Sequence, residues 1–136
     1  MDVRLAQSKE ELVGSPPCSL PMATLPQPGD RIPVFRPHWL ELVWRREKRL
    51  EIRGRRLSAG RYWLGCRGTI YGIAVLGPTI PITSAKAWRR LRHRHLVEGD
   101  ELPYKKTYGL PIRQCRRVTQ TPYEHPQGVV GIVKYR

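Results

Sequence analysis

The chain has 136 residues, with 25 Lys and Arg against 11 Asp and Glu, so it carries +14 at neutral pH. That length accommodates about one domain with one core, and the charge favours a polyanionic partner, nucleic acid first, with an anionic membrane surface or an acidic protein as alternatives. Cys18, Cys66 and Cys115 form no C-x-x-C pair, which supports neither a disulfide framework nor a zinc knuckle and points to a reducing, intracellular home, cytoplasmic or nuclear.

Residues 1–30 are rich in Pro, Ser and Gly, show neither helical nor strand periodicity, and read as a flexible arm. This arm opens with Asp2, Glu10 and Glu11 and no long apolar run, unlike a secretory signal or a membrane span. Its four acids against two bases give it −2, leaving +16 on residues 31–136, the expected folded domain. Pro37 can open a helix because its missing N–H costs nothing in a first turn, and Trp39, Leu40, Leu42, Val43 and Trp44 give that helix a broad apolar side.

After a basic turn, "LEIRGR" alternates Leu50 and Ile52 with Glu51 and Arg53, the pattern of a strand with one buried face. "RYWLGCRG" and "TIYGIAVLGPTIPI" are rich in β-branched and aromatic residues and interrupted by Gly65, Gly68, Gly72 and Gly77, as bent or bulged strands are. Thr83 or Ser84 can cap a second helix through "SAKAWRRLRHRH", with Ala87, Trp88 and Leu91 toward the core and Arg89, Arg90, Arg92 and Arg94 over the remainder. A loop with Glu98, Asp100 and Glu101 follows, then closing strands in "YGLPIRQCRRV" and "GVVGIVKYR", separated by the turn-rich "TQTPYEHPQG". Strands outnumber helices, so the expected class is α+β, a small mixed β-barrel with two or more flanking helices.

Lys48, Glu51 and Arg53 in "REKRLEIR" resemble the G-x-K-x-x-E-x-R signature of ASCH domains, members of the PUA-like superfamily, with Arg46 where the first glycine usually stands. "TPYEHPQGVVGIV", residues 121–133, resembles the closing segment of such domains, so the likeness runs from Arg31 to Arg136. The resemblance implies a pseudo-barrel of five or six strands with helices at its ends and a cleft where the signature residues face RNA or a nucleotide. It also implies two enzymatic alternatives. One kind of relative hydrolyses a modified cytidine using a Lys, a Thr three positions later and a distant Glu; another cleaves RNA with a divalent metal, for which Mg²⁺ or Mn²⁺ would serve. Lys48 matches the lysine, Glu51 stands at the Thr position, and Glu98, then Glu101, are the positional candidates for the distant acid.

Lys48 is either a solvated turn lysine, a phosphate contact, or, if desolvated, a base or nucleophile. Glu51, close in sequence to Arg49, Arg53 and Arg55, can orient those guanidiniums toward a phosphate, act as a general base, or form a structural ion pair. No acid occurs from Arg89 to Val97, which favours RNA backbone contact by Arg89, Arg90, Arg92 and Arg94 over a salt-bridged surface. Among the aromatics, Tyr62, Trp63, Trp39, Trp44 and Trp88 are expected in the core, while Tyr104, Tyr108 and Tyr123, in loop-like contexts, are expected to reach unpaired bases. His93, His95 and His125 with Cys115 are too scattered to define a metal site, no Ser, His and Asp arrangement is recognisable, and no P-loop is present. The resulting expectation is a noncatalytic RNA-binding domain without cofactor, with a hydrolase on the same cleft and a protein-interaction module as alternatives.

Overall fold

The computed structural model describes residues 25–136. Most of the expected arm, residues 1–24, lies outside them. Its last residues are joined to the domain: the Gly29 N–H donates to the Tyr135 carbonyl at 2.7 Å, the Tyr135 N–H to the Asp30 carbonyl at 2.7 Å, and Trp63 Nε1 to Asp30 Oδ2 at 3.2 Å.

Seven strands and three helices follow in the described residues: β1 (Arg31–Pro33), α1 (Pro37–Trp44), β2 (Leu50–Arg53), β3 (Gly60–Cys66), β4 (Thr69–Leu76), β5 (Ile80–Ile82), α2 (Ala85–Arg90), α3 (Arg92–His95), β6 (Thr107–Pro122) and β7 (Ile132–Lys134). The class is α+β. The 16-residue β6 organises the main sheet: its first part pairs with β2 and β5, and the rest with β4, which in turn pairs with β3. β1 and β7 form a separate two-stranded ribbon. All ladders are antiparallel, and the ribbon is fastened to the sheet by a parallel bridge between Val34 and Gly65, so the barrel-like wall is not one continuous ladder. β6 runs on through "TQTP", which its sequence marks as turn; pairing of Thr121 and Pro122 with Ile70 and Thr69 overrides that local signal.

The expected bending of the Gly-interrupted strands is present as register shifts at Leu64/Gly65, Ile70/Gly72 and Val75/Leu76. Both faces of the curled sheet are covered. Tyr62, Leu64 and Cys66 of β3 pack with Leu40 and Val43 of α1, whereas Trp63, between them, faces the opposite way onto Ile32, Ile70 and Val133. A third cluster sets Leu50 and Ile52 of β2 against Ile82 and Trp88, and the complete burial of Leu50 alone contributes about 2 kcal/mol.

Pro37 occupies the first turn of α1, as its fixed φ favours. Ser84 caps α2, its hydroxyl oxygen accepting from the Ala87 N–H at 3.1 Å. The second expected helix is divided at Leu91, and the short α3 ends where Leu96 turns left-handed (φ 62°). Trp88 is fully buried, whereas Trp39 and Trp44 are partly covered and pack against the cluster around Leu40 and Val43. Glu51 and Arg53 also depart from the one-sided strand pattern: Glu51 is buried and Arg53 half-buried, because the second face of β2 floors a cleft.

Candidate nucleic-acid cleft

The turn after α1 sets the geometry. Arg46 adopts φ 63°, the left-handed conformation that glycine takes readily, so the signature's departure at this position preserves the turn. The Leu42 carbonyl accepts from the N–H groups of both Glu47 and Lys48, folding the chain back so that Lys48 lies beneath the helix. Its Nζ sits 4.4 Å from the centroid of the Trp39 ring.

Lys48 is 2% exposed, which overturns the solvated-turn alternative. Nζ donates to the His95 carbonyl at 2.6 Å and lies 3.8 Å from Glu51 Oε1. The His95 carbonyl belongs to the last turn of α3, where carbonyls have no intrahelical partner, so the ammonium satisfies a group the helix leaves open. Burial lowers the lysine pKa below its ordinary value; Glu51 opposes this and Arg53 adds to it.

Glu51 Oε2 accepts from Arg53 Nε at 2.7 Å. The Arg53 guanidinium also donates to the carbonyls of Gly131 (3.1 Å) and Val34 (3.0 Å), and lies 5.2 Å from the Phe35 ring centroid. Glu51 therefore does orient a guanidinium, but Arg53 alone among the three proposed, and it turns that group into a strut between β2, the end of β1 and the start of β7. Arg49 and Arg55 are exposed and have no ion pair with Glu51.

These groups floor a cleft of about 460 Å³ walled by Trp39, Phe35, Val97, Tyr104 and Val130. A larger cavity, about 750 Å³, adjoins it and shares Arg53, Tyr104, Val130 and Gly131 as lining. Arg36 also lines the first cleft, and Arg55 and Arg56 line the second. Trp39 was hidden from sequence reasoning by its place on the apolar side of α1. Val130 and Gly131 lie within the closing segment whose likeness to ASCH domains marked it.

The remaining candidates are dispersed. Tyr104 is 47% exposed at the rim of both cavities, its ring packed over Gly54, where a side-chain carbon would lie 3.1 Å from its Cδ1. Tyr108 is half-buried, with the Arg56 guanidinium 4.9 Å from its ring centroid, and it lines neither cavity. Tyr123 is 7% exposed and packed in the Ile32 and Val133 cluster, contrary to its expected place at a ligand. Glu98 is exposed beside Val97 and does not line the cleft, so Lys48 and Glu51 lack the distant acid expected there; Glu101 is likewise exposed.

Arg89 and Arg90 project from α2 into solvent, and Arg94 is half-buried. Arg92 instead binds its own following loop, donating to the carbonyls of Val97 (2.9 Å) and Gly99 (2.6 Å) and to Asp100 Oδ1 (3.3 Å). His95 is a structural histidine. It stacks on Trp88 at 3.9 Å, its Nδ1 accepts from the Val97 N–H, and its Nε2 therefore carries the proton donated to the Trp88 carbonyl. Among the described residues no three His, Cys, Asp or Glu side chains group as a metal site, and no helix is long and apolar enough to cross a membrane.

No protein-family profile matches the sequence, and no curated protein sequence is similar to it. Solved structures are similar in fold. The crystal structure of ASCH from Zymomonas mobilis superposes with a TM-score of 0.62 at 14% identity, covering 79% of this chain and 88% of that one. A serine-to-alanine variant of the Zymomonas mobilis protein gives 0.61 at 14% identity, covering 82% and 92%. A tyrosine-to-phenylalanine variant gives 0.62 at 14% identity, covering 79% and 91%. With the signature residues gathered on the floor of one cleft, the chain has the fold of an ASCH domain.

Proposed function

We propose that this chain is an RNA-binding ASCH domain that receives an unpaired nucleotide in the cleft above Lys48, Glu51 and Arg53. The observation that carries the reading is the composition of that cleft: aromatic walls from Trp39 and Tyr104, a floor with one donor and one acceptor side chain, and flanking Arg36 and Arg53. Aromatic walls bind any base through its π-face, polar floor groups bind its edge, and arginines bind the backbone. The cleft volume, about 460 Å³, falls in the range usual for small-ligand sites. The charge of +14 supplies long-range attraction to the RNA strand.

Salt dependence tests this reading. If about five phosphates are contacted, affinity for single-stranded RNA falls with a log–log slope near −3.5, roughly a hundredfold between about 50 and 200 mM salt. Affinity that is flat across that range contradicts it.

One observation favours hydrolysis as a second reading: Lys48 is desolvated beside Glu51, and a lysine with a lowered pKa can act as a base or nucleophile. Against this, its ammonium is engaged with the His95 carbonyl. Incubation with mixed RNA, with and without Mg²⁺ or Mn²⁺, followed by sizing and nucleoside mass spectrometry, separates the two. Binding with unchanged RNA supports the first reading; shortened RNA or altered nucleosides support the second.

A further inference from the structure

We infer that the recognised unit is a two-nucleotide step, with successive nucleotides in the two adjoining cavities and the strand crossing the ridge formed by Arg53. This rests on the RNA reading and specifies the form of its ligand.

Three observations carry the inference. First, the cavities are contiguous: Arg53, Tyr104, Val130 and Gly131 line both. Arg53 is pinned in place by Glu51, Val34 and Gly131, so the ridge between them is fixed by three hydrogen bonds. Second, the cavities differ in chemistry. The first has Lys48 and Glu51 on its floor, whereas the larger is floored by Leu57, Leu110 and Ile132 and has no acid in its lining. An apolar floor accepts a base without selecting its edge, so one site reads the base and its neighbour only holds one.

Third, the larger cavity carries its own cations. Arg55 and Arg56 are exposed at its margin, and Arg56 is steadied against the Tyr108 ring at 4.9 Å. Two exposed arginines beside an apolar floor match a phosphate joined to a base. Val130, 90% exposed, stands at the junction of the two cavities with Tyr104, 47% exposed. Two apolar side chains left open to solvent at that junction fit a strand that covers both when bound.

The test uses chemical-shift titration of the full chain at about 0.15 M salt with each nucleoside monophosphate and each dinucleotide, repeated on the double variant Arg55→Gln with Arg56→Gln. The best dinucleotide is expected to bind about fivefold or more tighter than the best mononucleotide, the lower reach of one added stacking contact. The double variant is expected to erase most of this gain, dinucleotide affinity falling by a larger factor than mononucleotide affinity. If it melts early, Arg55→Gln alone, at an exposed side chain, carries the same readout as a reduced gain.

A wild-type gain below about threefold overturns the two-nucleotide unit, since that is less than one stacking contact. So does a gain that persists in the variants, or a variant that weakens mononucleotide and dinucleotide alike. Binding of longer RNA without measurable binding of either short ligand overturns it while leaving RNA recognition standing. Absence of binding to mononucleotides, dinucleotides and longer RNA removes the RNA reading and this inference together.

Discussion

Lys48→Met isolates the chemistry of the cleft floor from its packing. The substitution keeps most of the side-chain volume beside Trp39 but removes the ammonium of a residue only 2% exposed, whose Nζ lies 2.6 Å from the His95 carbonyl. Losing that charge-assisted hydrogen bond costs about 1.5–3 kcal/mol, and the attraction to Glu51 at 3.8 Å is lost with it. In the other direction, a buried ion carries a desolvation penalty of several kcal/mol, and burial is the largest influence on the Lys48 pKa. Glu51 is not stranded, because Arg53 Nε still donates to it at 2.7 Å. The opposed contributions leave a net change within about 1 kcal/mol. Lys48→Ala, which also empties the space of the stem, should cost about 2–4 kcal/mol.

The same residue sets a pH dependence. Its folded pKa lies below 10.5, so between the two values the unfolded chain binds more protons at Lys48 than the folded chain does. Its contribution to stability therefore rises with pH through that window and is complete above 10.5. Urea denaturation of wild type and Lys48→Met at about pH 7 and about pH 10 should show the wild type gaining relative to the variant at the higher pH. A loss clearly above about 1 kcal/mol on Lys48→Met at about pH 7, or a wild type that loses ground to the variant with rising pH, contradicts this balance.

Glu51→Gln should cost about 1–2 kcal/mol, measured by urea denaturation, because an amide oxygen can still accept from Arg53 Nε but without charge assistance. It should also lower the Lys48 pKa further, since Glu51 is the group that raises it, and an NMR titration reads the direction. Arg46→Gly should raise stability by about 0.5–1 kcal/mol, because φ 63° strains an arginine and suits glycine; the 3.3 Å contact from Arg46 to the Cys115 carbonyl is a weak offset, and a thermal melt reads the sign.

Local chemistry made the helix start at Pro37, the cap at Ser84 and the bends around Gly65 and Gly72 legible in sequence, because each depends on a residue's own backbone preference. The cleft was legible only through its signature. The burial of Lys48 depends on the α3 carbonyl at His95, 47 residues away, which no local pattern encodes. Trp39 follows helical spacing as a core residue does and packs against the core, yet it also lines the cleft. Tyr123 follows the reverse course: its loop-like neighbours conceal that pairing of β6 with β4 carries it into the cluster around Ile32. The arginine run from Arg89 to Arg94 reads as uniform, but the loop after α3 claims Arg92 for its own carbonyls while Arg89 and Arg90 stay in solvent.

Whether an unpaired base occupies the cleft is read by zero-length ultraviolet crosslinking of the full chain to single-stranded RNA, with peptide mapping by mass spectrometry. Crosslinks should concentrate on Trp39 and Tyr104, the aromatic walls above Lys48 and Glu51. Bound RNA that crosslinks only elsewhere, with both of these aromatics unmodified, would contradict that occupancy.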